Sequence, residues 1–230
     1  MGIPTLDDER VVALALRAHT TLPVARLLTL VGEAADAKMK LAIGGAVAAC
    51  DAGWVRNTED LDVFARPVSA KRLTRALREA GMNTFWITGS HSVAWLDEDN
   101  AEAVAAGESP SVRVDILSTV TEPEASAIRT AVPARTLGVP VKVFRPDHLA
   151  AIKFLAGRPQ DLVDFDALVR LGVDLDRVRF IVAAADEPRV AAMMARARRA
   201  LKPTGLRDRQ SMWLSGAALD AAWRATASQR

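Results

Sequence analysis

Residues 42–65 read AIGGAVAACDAGWVRNTEDLDVFA, and this stretch decides the fold class. Lys40 and the apolar residues 41–43 lead into Gly44-Gly45, as a short strand does when it turns into a helix. Residues 46–51 begin that helix and Gly53 ends it. Residues 61–65 alternate in polarity and fit a second strand. Strand periodicity is two, so Asp60 and Asp62 point to one face while Leu61 and Val63 anchor the other. Two carboxylates so close repel each other unless a cation neutralises them.

Outward from this stretch, the chain predicts a mixed architecture. Towards the N-terminus, Asp7 and Asp8 are placed to cap a helix over residues 8–19, and a second helix starts at Pro23. Towards the C-terminus, Ser69 is the expected cap of a helix over 69–81, and strands are expected at 85–88, 92–96 and 112–117. Residues 97–111 read as a loop or short helix. A helix at 122–131 and two extended pieces at 134–137 and 139–143 follow. From Pro146 on, glycine and proline punctuate successive helical patterns. The expected fold is therefore α/β (α+β). Residues 1–145 form a small mixed β-sheet core flanked by helices, with a helical lead-in, and residues 146–230 form a helical C-terminal unit.

A third acid lies in SVRVDIL, residues 111–117, where Asp115 interrupts an apolar strand. If that strand lies beside the first, Asp115 joins Asp60 and Asp62. An all-oxygen set of this kind suits Mg²⁺ or Mn²⁺ rather than zinc. Glycines ahead of a helix expose backbone N–H groups, so Gly44 and Gly45 are candidates for phosphate oxygens. Arg56 and Thr58 precede the acidic strand. Either can meet phosphate, and Thr58 can equally cap the turn. His19 and His91 have no partner at metal-ligand spacing, and His148 reads as structural.

The order Gly-Gly, D-x-D, distant Asp resembles the nucleotidyltransferase superfamily with its polymerase β-like core. The turn here is the variant without a serine hydroxyl. Residues 152–168, IKFLAGRPQDLVDFDAL, resemble the helical motif of its toxin-type branch, related to abortive-infection systems. The matching residues are Lys153, Arg158, Asp161 and Asp164. The resemblance covers roughly residues 40–170. It implies transfer of a nucleotide from an NTP such as ATP by a two-metal mechanism, with Asp60, Asp62 and Asp115 holding the metals. It also implies that Gly44, Gly45 and Lys153 meet the triphosphate and that Arg158 and Asp161 support the site. The acceptor stays open among RNA or tRNA, a protein and a small molecule, and a cognate antitoxin is an implied partner.

Composition excludes some classes. Over 230 residues, half the chain is hydrophobic and a quarter charged, as in globular proteins. One cysteine, Cys50, forms no internal disulfide. No apolar run is long enough to span a membrane, and the N-terminus lacks the pattern of a signal peptide, so a cytoplasmic location is expected. Residues 196–209 carry six basic side chains against Asp208, which is a phosphate-binding patch or a solvated helix face. The competing function is a catalytically inactive binding or regulatory module of the same fold.

Overall fold

The computed structural model describes residues 21–185, except Asn57, Glu59, Gly107, Ser109 and Ser111. The expected helix at 8–19, His19 and the basic residues 196–209 lie outside the described residues. Among the described residues, seven strands form one mixed sheet in the order β3-β4-β5-β2-β1-β7-β6. The strands are β1 Leu41–Ile43, β2 Asp60–Ala65, β3 Asn83–Thr88, β4 His91–Trp95, β5 Arg113–Ser118, β6 Val132–Thr136 and β7 Val139–Val143. The α-helices are α1 Thr21–Ala34, α2 Gly45–Asp51, α3 Pro67–Glu79, α4 Ala101–Ala106, α5 Glu122–Thr130, α6 Pro146–Ala156, α7 Pro159–Arg170 and α8 Leu175–Ala183. The α/β (α+β) expectation is met. No described helix is long and apolar enough to cross a membrane.

The contacts divide the chain into two units, one of Met1–Val120 and Ala127–Arg145, the other of Thr121–Ser126 and Pro146–Arg230. In the first, β2 pairs with β5 in parallel and with β1 antiparallel, and β1 pairs with β7 in parallel. Helix α1 buries Val24, Leu27, Leu28 and Val31, the spacing of one helical face. Helix α3 buries Ala70, Leu73 and Leu77 over the same core. Leu61, Val63, Val114 and Ile116, alternate residues of β2 and β5, are fully buried there. Thr74 on α3 meets Ser92 on β4 at 2.8 Å, so α3 covers the face opposite the acids.

One expectation about an element needs correction. Helix α3 starts at Pro67 rather than at a serine cap, because proline's fixed φ suits a first helical turn. Ser69 instead lies inside the helix, where its Oγ accepts a hydrogen bond from the Lys40 N–H at 2.9 Å. The extended pieces after α5 are a hairpin, β6–β7, and β7 extends the sheet beyond β1. Asp164, the last residue matched to the helical motif, is fully buried.

In the second unit, Phe154 and Phe165 pack at 5.3 Å between α6 and α7. His148 is buried as expected of a structural residue. Its Nδ1 is 3.1 Å from Asp147 Oδ1 and its Nε2 3.1 Å from Ser126 Oγ, while Arg177 of α8 pairs with Asp147.

Candidate active site

The register of β2 on β5 sets Asp60 beside Arg113 and Asp62 beside Asp115. Residues directly opposite in a parallel pair share a face, and neighbouring strands lie about 4.8 Å apart. Asp60, Asp62 and Asp115 therefore occupy one face of two adjacent strands, as periodicity predicted for the first two. Antiparallel pairing of β4 with β5 adds His91 to that face, opposite Leu117. Asp60 and Asp62 are half-buried, whereas Asp115 is 5% exposed.

The two glycines are there because side chains from this face leave no room for more. A Cβ on Gly44 would come within 2.6 Å of the Phe64 ring, which packs on Phe144 at 4.9 Å. A Cβ on Gly45 would fall 1.7 Å from Asp62 Oδ2, and Gly45 has φ +56°, a conformation L side chains rarely adopt. The Gly44 N–H is used inside the site and donates to the Asp62 carbonyl at 2.9 Å. The turn ending β1 thus sits directly against the acidic strand.

Asp60 and Asp115 both have protein partners. Thr58 Oγ1 donates to Asp60 Oδ1 at 2.5 Å. His91 Nε2 donates to Asp115 Oδ1 at 2.7 Å and Arg113 Nε to Asp115 Oδ2 at 3.0 Å. Arg56 is half-buried in the loop ahead of β2. Among the described residues, no group of three or more His, Cys, Asp or Glu stands close enough to hold a metal ion in this arrangement. The donor set still fits a hard cation. It is all oxygen and lies on one face, the donor chemistry that Mg²⁺ and Mn²⁺ take.

Lys153, Arg158 and Asp161 belong to the second unit. Lys153 is buried on α6, and its Nζ lies 3.0 Å from Asp161 Oδ1 and 2.9 Å from Asp164 Oδ2. Arg158 grips Asp161 from the other side, with Nε 2.5 Å from Oδ2 and an Nη 3.2 Å from Oδ1. Burial by itself raises the Asp161 carboxyl. The Arg158 hydrogen bond, with the charge and hydrogen bond of Lys153, outweighs it and holds the group below its ordinary 3.8.

Two residues of this face, Arg113 and His91, were not among the expected site residues. Arg113 was legible, since it stands two residues before Asp115 and shares its periodicity. His91 was not, because its place depends on the register between β4 and β5.

No family model and no curated protein matches the chain. Solved structures do. ANT(2'')-Ia, an antibiotic-resistance factor, superposes with a TM-score of 0.51 at 18% identity, over 76% of this chain and 97% of its own. The fold is nucleotidyltransferase-like. An antigenic nucleotidyltransferase-like protein from Paracoccidioides brasiliensis agrees, with a TM-score of 0.50 at 16% identity over 85% and 93% of the two chains. At these identities the likeness establishes the nucleotidyltransferase-like fold, and the chemistry has to be argued from the residues.

Proposed function

We propose that the chain is a metal-dependent nucleotidyltransferase, moving a nucleoside monophosphate from an NTP to an acceptor hydroxyl. The observation that supports this most is the lateral pair Asp62–Asp115 on β2 and β5, with Gly45 packed on the Asp62 carboxylate. In this reading Asp60, Asp62 and Asp115 hold Mg²⁺ or Mn²⁺. When bound, the divalent cations neutralise phosphate charge and lower the pKa of the acceptor hydroxyl. The acceptor hydroxyl gives up its proton to solvent, its oxygen forms a bond to the α-phosphorus, the bond to the bridging oxygen breaks, and pyrophosphate leaves.

The chain's own part is positioning and charge. Leu61 and Val63, locked in the core, fix the strand that carries Asp60 and Asp62. Gly45, free of a side chain, lets a phosphate approach the backbone beside Asp62. Arg56 lies within the same loop-and-strand segment and contributes positive charge to the triphosphate. Thr58 orients Asp60. Lys153 is assigned to the triphosphate, and Arg158 and Asp161 to its support, on the toxin-type motif alone. That motif favours RNA, tRNA or a protein as acceptor and a cognate antitoxin as partner. The antibiotic-resistance role of ANT(2'')-Ia keeps a small molecule among the acceptors.

A second reading has an observation behind it. With Thr58 on Asp60, and His91 and Arg113 on Asp115, the acids are satisfied by the protein itself, as in a module that binds without turnover. Incubation with each α-³²P-labelled NTP, Mg²⁺ and total RNA, lysate protein or small-molecule acceptors separates the two. Transfer of label by the wild type and not by Asp115→Asn is the expected result. Nucleotide binding with no label transferred to any acceptor class would establish the inactive module instead.

A further inference from the structure

Asp115 is the most buried of the three acids, and both its oxygens are held. His91, the first residue of β4, reaches Oδ1, and Arg113 reaches Oδ2. The two approach from opposite directions along β5. Arg113 stands two residues before Asp115, and His91 lies opposite Leu117, two residues after it. The terminal torsion of an aspartate is soft and roughly two-fold, so an unheld carboxyl plane turns easily. Two donors on two oxygens remove that freedom. A carboxylate offers about four lone-pair positions, and the clamp leaves about two.

The partners are not equivalent. Arg113 also donates to the Pro110 carbonyl at 2.7 Å, and so ties down the segment that enters β5. His91 makes its side-chain hydrogen bond to Asp115 alone among the described residues. Its side chain is 28% exposed against 7% for Asp115, so it stands over the carboxylate at the solvent side of the face.

We infer that His91 is a positioning residue for Asp115: it fixes the carboxyl plane so that the same lone pairs are always presented to a divalent cation. This rests on the nucleotidyl-transfer reading above. Carboxylates that ligate metals are themselves hydrogen-bonded, and loss of such a partner weakens metal affinity or activity roughly 10- to 100-fold. Here the partner comes from a neighbouring strand, so the sheet register itself sets the ligand geometry.

The test is Mn²⁺ binding to the full chain with a non-hydrolysable NTP analogue, followed by electron paramagnetic resonance of the free ion. Wild type, His91→Leu, His91→Gln and Asp62→Asn are compared, with melting temperatures in chelator as the measure of folding. We expect His91→Leu to bind Mn²⁺ about tenfold more weakly or worse while still melting cooperatively in chelator. His91→Gln, whose amide nitrogen can take the place of Nε2, should stay within about threefold of wild type. If His91→Leu binds Mn²⁺ as tightly as wild type, or more tightly, while Asp62→Asn does not bind it, this inference alone is overturned. If wild type binds no better than Asp62→Asn, the nucleotidyl-transfer reading fails and takes the inference with it. Should His91→Leu not fold, His91→Gln is set against His91→Asn, whose shorter amide does not reach. Equal Mn²⁺ affinity in that pair overturns the inference.

Discussion

At Gly45 the main chain runs so close to Asp62 that any side chain would collide with the carboxylate, and the positive φ adds strain of its own. For an L residue the left-handed region costs about 1–2 kcal/mol. Gly45→Ala should therefore lower the melting temperature by several degrees, at roughly 2–4 °C per kcal/mol for a chain of this size. It should also displace Asp62 and abolish nucleotide transfer. Wild-type melting and full transfer in that variant would show that the turn is looser than the structure has it. Asp115→Asn tests the neighbouring position differently. The amide keeps the shape and can still accept from His91 or Arg113, but it loses the charge. Transfer should fall by more than the roughly 10- to 100-fold typical of losing an outer partner, while NTP affinity changes little. A nucleotide Kd that collapses together with kcat would mean that Asp115 serves binding rather than the transfer step.

Between elements, the polar tie of α6 to α7 is the ion-pair network of Lys153 with Asp161 and Asp164. A buried charge stripped of its partner is far costlier than the intact pair is stabilising. Lys153→Met should destabilise the second unit by roughly 3–5 kcal/mol, measured by denaturant unfolding. A loss under about 1 kcal/mol would mean that water already screens the network. The pH dependence has a definite sign. The Asp161 carboxyl is held below 3.8 in the folded chain, so its contribution is fully present above 3.8 and is lost as pH falls through the folded value. Asp161→Asn should flatten the acid limb of the stability curve in that window, and an unchanged limb would place the depression elsewhere. Elements were also where reading from sequence succeeded and failed. The glycine turn and the D-x-D alternation are local patterns, so β1, α2 and β2 could be read directly. The pairing of β2 with β5 joins residues more than fifty positions apart. Nothing local encodes it, so Asp115 could be placed beside Asp62 only conditionally and His91 not at all. The pairing of Asp164 with Lys153, eleven residues earlier on another helix, was illegible for a related reason.

At the scale of the molecule, the chain comprises two contact units, with the acids in the first and Lys153 in the second. That division turns the assignment of Lys153 into a measurable question. A ligand that binds only the folded state stabilises what it touches, by about 2.7 kcal/mol at a hundred times its Kd. Mg²⁺ with a non-hydrolysable NTP analogue should therefore protect the amides of β2, β5 and the start of α2 from hydrogen exchange, and the Asp60→Asn, Asp62→Asn double variant should lose that protection. If Lys153 also meets the triphosphate, α6 must gain protection in the same titration and with the same midpoint, because one ligand then links both units. Lys153→Met would remove the α6 response and weaken the response of β2. If instead the buried pairing with Asp161 and Asp164 is the whole role of Lys153, nucleotide protects the first unit alone, and α6 exchanges at the same rate with and without it. The nucleotidyl-transfer reading survives that second outcome, since it stands on the face of β2 and β5. The toxin-type assignment of Lys153, Arg158 and Asp161 does not.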